Sequence, residues 1–174
     1  DLHSDAIEGF FSVPPNHVSG LAIFKNSIRS LIGQNKDDYI IASPDAGGAN
    51  RARAFARKFD MQVVVMNKAR SKPGEIASIE GKKIIIVDDM VDSAGTLCSA
   101  ADYLINSKGA KEVMAICTHP FLTVSKKGEE AVDRIEKSLI SQLWISDTLP
   151  IKQAALVSPK IKVISSAEIL AKII

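Results

Sequence analysis

The residues from Ile84 to Leu97 combine groups that could hold a phosphorylated sugar. An apolar run leads directly to the adjacent acids Asp88 and Asp89, and a short loop follows after two further residues. That loop consists of Asp92, Ser93, Ala94, Gly95 and Thr96. Neighbouring carboxylates can accept hydrogen bonds from the vicinal hydroxyls of a ribose, or they can face a divalent cation. Small residues before a helix let backbone amides approach a phosphate, which the helix N-terminus also attracts.

The same string has a simpler interpretation as a helix start after a strand. Asp92 or Ser93 would then cap the helix, and the acidic pair would complement the helix dipole. That interpretation would be preferred for such a loop standing alone. The whole string, from the apolar run through the acids to the helix, instead favours a sugar-phosphate site.

Strands must place these groups at one edge of a sheet. The strand predicted from Lys82 to Val87 ends in the apolar run I-I-I-V, which is typical of a strand buried on both faces of a parallel sheet, whose C-terminal end is where ligands bind. Asp45 follows another apolar run in the same way, and Gly47 and Gly48 permit a tight turn into a helix. Lys68 follows a third such run.

The alternation of patterns along the chain predicts the fold class. We expect helices at 18–32, 49–59, 96–108, 126–138 and 167–174, and strands at 39–43, 62–66, 82–87, 112–117, 142–146 and 161–164. This order predicts an α/β fold with a parallel β-sheet that is flanked by helices on both faces.

Composition excludes several classes of partner. With 22 basic and 20 acidic residues the formal charge is +2, too balanced to predict binding to nucleic acid or to an anionic membrane. No apolar run approaches the roughly 18 residues of a membrane span, and we expect no signal peptide. Cys98 and Cys117 are expected to be reduced core cysteines. A cytoplasmic protein is therefore predicted.

The loop with its preceding acids resembles the phosphoribosyl diphosphate (PRPP) loop of the type I phosphoribosyltransferase fold family. Three other segments narrow the resemblance: D-L-H-S-D-A-I-E-G-F-F-S-V-P at the start, A-S-P-D-A-G-G-A-N-R-A-R-A-F-A from Ala42, and V-V-V-M-N-K-A-R from Val63. In this order they resemble the ribose-phosphate pyrophosphokinase (PRPP synthetase) family over nearly the whole chain. Ordinary phosphoribosyltransferases lack the first two segments.

The resemblance implies an activity and a role for each motif. The family transfers diphosphate from ATP to ribose 5-phosphate, which gives PRPP and AMP. By resemblance His3 and Asp45 would bind Mg²⁺, with Asp1 as a further candidate, and Lys68 and Arg70 would be catalytic. Ribose 5-phosphate would bind Arg70, Asp88, Asp89, Asp92, Ser93, Ala94, Gly95 and Thr96.

Taken alone, several of these residues have ordinary interpretations. His3 would be a surface or core imidazole, and Lys68 with Arg70 would be a solvent-facing basic loop. Three arginines on the helix after Asp45 are equally well explained as solvated charges or as contacts to a phosphate effector or a neighbouring subunit. They are Arg51, Arg53 and Arg57.

The chain also departs from the family pattern. Lys68 and Asp88 lie only 20 positions apart, so either the catalytic loop is short or part of it is missing from this sequence. Ser12 and Asn16 stand where some relatives carry acids. Ser93-Ala94 replaces the commoner Thr-Gly, which should leave the backbone donors in place.

The resemblance further implies that this chain is one half of a longer enzyme. Residues 1–20 would come from the end of an N-terminal domain that is not part of this chain, and residues 21–174 would form the catalytic domain. We expect such a fragment to bind ribose 5-phosphate without turning over alone. The family implies ATP as substrate, ADP and phosphate as effectors, and a homo-oligomer, commonly a hexamer. A non-catalytic regulatory paralogue and a base phosphoribosyltransferase remain alternatives.

Overall fold

The computed structural model describes residues 1–66 and 78–174, which form a parallel six-stranded sheet with helices on both faces. The strands lie in the order β2-β1-β3-β4-β5-β6. They are β1 Tyr39–Ser43, β2 Gln62–Val65, β3 Lys83–Val91, β4 Glu112–Pro120, β5 Ile140–Ser146 and β6 Ile161–Ile164. The helices are α1 Gly20–Ile32, α2 Ala49–Phe59, α3 Gly95–Asp102, α4 Ala131–Lys137, α5 Gln153–Val157 and α6 Ala167–Ala171. The predicted fold class is confirmed.

The central strand β3 is buried on both faces because its side chains alternate between two cores. Ile84 and Ile86 pack in the core that contains Leu97 of α3 and residues of α4. Ile85 and Val87 pack in the other core, with residues of α1 and α2. Each such side chain contributes about 1.5–3 kcal/mol on burial, so the continuous apolar run anchors the strand that carries the acidic pair.

Strand β3 extends further than the sequence pattern predicted. Its pairing with β4 continues through Asp88 to Val91, so the two acids lie within the strand and not after it. Carboxylates are depleted in strands, which is why the pattern stopped at Val87. Because successive side chains alternate, Asp88 shares the face of Ile86, and Asp89 shares the face of Val87 towards α2.

Several other bounds differ from the predictions. Helix α1 begins at Gly20 because the Ser19 hydroxyl accepts the Leu21 amide, which makes Ser19 the N-cap. Helix α3 gives way to a π-helical turn at Tyr103–Ser107. The short helix α5 was not predicted, and the segment before α4 is a turn closed by a bridge between Val124 and Glu130.

The N-terminal segment crosses the C-terminal edge of the sheet. The Asp1 carboxylate accepts the Gly20 amide at 2.9 Å and the Thr118 hydroxyl, at the end of β4, at 2.6 Å. His119 donates from Nε2 to the Asp1 carbonyl at 2.7 Å. These contacts bring His3, two residues further on, to the edge where β3 carries its acids.

Replacing Gly20 by Ala should lower the free energy of unfolding by about 2–3 kcal/mol. A Cβ atom there would lie 2.1 Å from the Thr118 hydroxyl oxygen and 2.5 Å from an Asp1 carboxylate oxygen, so both anchors must move. Urea denaturation measures the effect. Gly9→Ala is the matched control, since a Cβ at Gly9 has nothing within 4 Å. Equal midpoints for both variants would contradict the proposed anchoring.

Within the described residues, no helix is long and apolar enough to cross a membrane.

Candidate functional site

A cleft of about 540 Å³ opens at the C-terminal edge of β1 and β3. Its walls come from the N-terminal segment, the turn after β1, the start of α2, the end of β3 and the loop before α3. It is lined by His3, Asp45, Gly47, Gly48, Arg51 and every residue from Asp88 to Thr96. The structure thus brings together most of the predicted site residues from three distant parts of the chain.

Asp89 is the buried member of the acidic pair, with 5% of its side chain exposed. Nδ1 of His3 lies 2.7 Å from its Oδ2, and because a carboxylate only accepts, Nδ1 donates. Burial opposes ionisation of Asp89. The hydrogen bonds from His3 and Asp88, together with the positive charge of Arg51, outweigh it and hold the Asp89 pKa below its usual value. Asp89 is therefore charged at neutral pH.

Asp88 behaves oppositely. Burial raises its pKa to about 7, and the hydrogen bond with Asp89 and the charge of that neighbour add to the effect. Near neutral pH the pair therefore offers one ionised carboxylate and one close to its midpoint. Such a pair can both accept hydrogen bonds from hydroxyl groups and donate to their oxygens.

Arg51 is the residue whose role the sequence left open. Its guanidinium lies 3.4 Å from Asp89 and 3.8 Å from both Asp88 and Asp1, and 16% of its side chain is exposed. Arg53 and Arg57, on the same helix, are exposed. The available signal was position, since Arg51 lies in the first turn of a helix that follows a strand end.

The loop between β3 and α3 adopts a backbone conformation suited to binding an anion. Ala94 has a φ of 58°, in the left-handed region, and Gly95 begins α3. The Thr123 amide donates to the Asp92 carbonyl at 3.0 Å, and the Thr123 hydroxyl also bonds the Asp92 carboxylate. The first amides of a helix have no partner within it, so those at the start of α3 are suited to a phosphate in the cleft.

Replacing Ala94 by Gly should stabilise the protein by about 0.5–1 kcal/mol. An L-residue in the left-handed region costs about 1–2 kcal/mol, and the extra freedom of unfolded glycine offsets part of the gain. Ala100→Gly, inside α3, should instead destabilise by about 1 kcal/mol. Urea midpoints compare the two variants. A loss of stability in both would mean that the Ala94 backbone is not strained.

His3 and Asp45, the two residues expected to bind Mg²⁺, both line the cleft. In the neutral tautomer that donates from Nδ1 to Asp89, Nε2 carries a lone pair that can bind a metal, and 68% of the side chain is exposed. Asp45 is exposed, and its Oδ1 accepts the Gly48 amide at 3.1 Å. Two protein ligands suit a Mg²⁺ ion that keeps several waters and takes substrate phosphates.

Asp1 is the further candidate for a metal ligand. The carboxylate of Asp1 is held by Gly20 and Thr118, and Asp1 is not among the residues that line the cleft. In the part of the chain that the structure describes, no three His, Cys, Asp or Glu side chains form a metal-binding group by themselves. Lys68 and Arg70 lie outside the described residues.

Comparisons with known proteins identify the family of the chain. A phosphoribosyl transferase domain model matches residues 18–148. The ribose-phosphate pyrophosphokinase of Burkholderia pseudomallei is 40% identical over 178 residues, which cover 99% of this chain and 53% of that protein. The same enzyme of Clostridium acetobutylicum is 40% identical and is matched over 54% of its length.

A solved structure is similar to this chain in fold and in sequence. The crystal structure of phosphoribosylpyrophosphate synthetase from Mycobacterium smegmatis superposes with a TM-score of 0.85 at 30% identity, over 99% of this chain and 55% of that chain. The chain spans about half the length of the curated relatives that it matches. The chain belongs to the phosphoribosyl transferase domain family, and over nearly its whole length its relatives are ribose-phosphate pyrophosphokinases.

Proposed function

We propose that this chain is the C-terminal, ribose 5-phosphate-binding half of a ribose-phosphate diphosphokinase. In that reaction the anomeric oxygen of ribose 5-phosphate bonds to the β-phosphorus of ATP. The bond between that phosphorus and the oxygen bridging to the α-phosphorus breaks, AMP leaves with the bridging oxygen, and the proton of the anomeric hydroxyl group is released. The products are PRPP and AMP.

One observation carries the proposal: a single cleft holds both the acidic pair and the loop before α3. In our account the amides from Ser93 to Thr96 bind the 5-phosphate. Asp88 and Asp89 bind the ribose hydroxyls, so the sugar is held at two points and its anomeric oxygen has a fixed direction. Fixing an acceptor in this way lowers the barrier to transfer because the entropy of alignment is lost on binding.

The donor side needs positive charge. His3 and Asp45 would hold a Mg²⁺ ion, which when bound neutralises charge on the transferring phosphates. Arg51 supplies a positive charge in the cleft wall, and it balances the acids until substrate arrives. By resemblance, Lys68 and Arg70 would stabilise the charge on the diphosphate in flight, and Arg70 would also contact the acceptor.

The further partners of the complete enzyme are part of the same proposal. The part of the relatives' length that this chain does not match would correspond to much of the ATP site, and the assembly would be a cytoplasmic homo-oligomer with ADP and phosphate as effectors. The described geometry supports only the acceptor side, so we expect the chain alone to bind ribose 5-phosphate and to form little AMP.

Calorimetric titration and a turnover assay test these expectations. Ribose 5-phosphate should bind more tightly than ribose or inorganic phosphate, because it alone engages both the acids and the loop. Robust AMP formation from ATP and ribose 5-phosphate by this chain would overturn the fragment interpretation. Turnover of PRPP with a free base, without ATP, would identify a base phosphoribosyltransferase. Binding of neither ribose 5-phosphate nor Mg·ATP would favour a regulatory paralogue.

A further inference from the structure

Behind the loop before α3, on the side away from the cleft, lies an arginine that no sequence motif singled out. Arg134 of α4 donates from Nη1 to the Ser93 carbonyl oxygen at 3.0 Å. It is not among the residues that line the cleft, and it lines instead a separate surface depression with Cys98 and Glu129. Arg134 therefore contacts the loop without contacting the space where a ligand would lie.

The position of Arg134 is fixed by a second contact. Its Nε donates to Oε2 of Glu129 at 2.9 Å, Nη2 lies 2.9 Å from the same oxygen in an ion pair, and 22% of its side chain is exposed. Glu129 is held in turn, because its amide donates to the Ser125 hydroxyl at 3.1 Å and its carbonyl accepts the Ser125 amide at 2.8 Å. Since the guanidinium is planar and its donors are fixed in direction, the pair with Glu129 aims Nη1 at Ser93.

A third observation links Arg134 to the loop sequence. A Cβ atom at Gly95 would lie 3.0 Å from Nη1 of Arg134. The guanidinium therefore packs against the point where α3 begins, and a Cβ atom at Gly95 would require Nη1 to shift by a few tenths of an ångström.

The contact with the Ser93 carbonyl also determines the direction of the next amide, through the peptide bond between Ser93 and Ala94. The bond between Ser93 and Ala94 is trans, so its carbonyl and its N–H point in opposite directions. Holding the Ser93 carbonyl towards α4 turns the Ala94 amide away from α4, towards the cleft. The same contact restrains Ala94, whose backbone is in the left-handed region, and that conformation persists only where the surroundings enforce it.

We propose that Arg134 is a positioning residue for the loop before α3: it holds the Ser93 carbonyl so that the loop amides face the cleft. The inference rests on the proposed function for the identity of the ligand, ribose 5-phosphate, but the effect on the loop does not depend on any ligand.

Three variants of this chain separate positioning from charge. Arg134→Met removes the donors, Arg134→Lys keeps the charge and one donor group, and Lys137→Met removes a neighbouring cation that lies 3.6 Å from the same Glu129. Two measurements are made on each: hydrogen exchange of the amides 93–96 without ligand, and the dissociation constant for ribose 5-phosphate by calorimetry. Exchange in β4 reports whether the fold is intact.

Arg134→Met should speed exchange in the loop and weaken ribose 5-phosphate binding about tenfold, the effect of lowering the population of the binding-competent loop conformation to about a tenth. Arg134→Lys should have loop exchange rates and a ribose 5-phosphate affinity between those of Arg134→Met and the wild type. Lys137→Met should match the wild type in both measurements. Wild-type loop exchange in Arg134→Met would overturn the proposal. If the wild-type chain fails to bind ribose 5-phosphate, the proposed function fails, and loop exchange alone decides the role of Arg134. If Arg134→Met does not fold, Arg134→Lys and Glu129→Gln are judged by the same exchange criterion.

Discussion

Replacing Arg51 by Met should lower the free energy of unfolding by about 2–4 kcal/mol, because breaking a mostly buried ion pair leaves its partners uncompensated. Asp89 and Asp1 have about 5% and 6% of their side chains exposed, and both lie within 4 Å of the guanidinium. Asp88, the third acid, lies on the opposite face of β3 and is also within reach. No other cation of the described residues is recorded within ion-pair distance of Asp88 or Asp89, apart from His3 when it is protonated.

The loss should be measured by urea denaturation, with carboxyl carbon NMR to follow the acids. Because the positive charge of Arg51 lowers the pKa of both Asp88 and Asp89, its removal should raise both pKa values. Arg53→Met is the matched control, since Arg53 is exposed and should change stability by less than about 0.5 kcal/mol. Similar losses in the two variants, with unmoved pKa values, would show that Arg51 does not balance the acids.

Replacing Asp89 by Asn should weaken ribose 5-phosphate binding about 10- to 100-fold. The change keeps the shape of the side chain but removes the negative charge that would accept hydrogen bonds from the ribose hydroxyls, and hydrogen bonds to charged groups contribute about 1.5–3 kcal/mol each. It also replaces the carboxylate that accepts from Nδ1 of His3. Calorimetry with ribose 5-phosphate measures the loss directly.

Inorganic phosphate provides the internal comparison for this variant. Phosphate would occupy the loop before α3 and not contact the ribose subsite, so its affinity should change much less than that of ribose 5-phosphate. Asp133→Asn, an exposed acid on α4, is the control variant and should leave both affinities unchanged. An equal loss for the two ligands would mean that Asp89 acts on the fold or on overall charge and not on the sugar.

The elements of the fold could be predicted where the apolar pattern is strong. Strands β1 and β6 and helix α2 have the bounds that the sequence predicted, because burial in each follows the pattern of its apolar residues. The pattern failed at Asp88 and Asp89, where the strand continues through carboxylates that a site requires and a strand normally avoids. It failed again at α5, which is too short to show a helical period.

Individual site residues could be predicted only where they belong to a sequence motif. The cleft does bring together His3, Asp45, the acidic pair and the loop before α3. The roles of Arg51 and Arg134 could not be predicted from sequence, because each depends on how its helix is oriented against the sheet in the folded chain. Neither spacing nor composition records that Arg51 faces Asp89 at 3.4 Å or that Arg134 bonds the Ser93 carbonyl at 3.0 Å.

Amide chemical shift mapping shows whether ribose 5-phosphate binds in the cleft at the C-terminal edge of β1 and β3. The isotopically labelled chain is titrated with ribose 5-phosphate, and the shifts of all assigned amides are followed. We expect saturable shifts centred on residues 88–96, with the largest at Ser93 to Thr96 and smaller ones near His3. Saturable binding whose shifts lie elsewhere, or no shift at 88–96 at millimolar ribose 5-phosphate, would mean that the cleft is not the ribose 5-phosphate site.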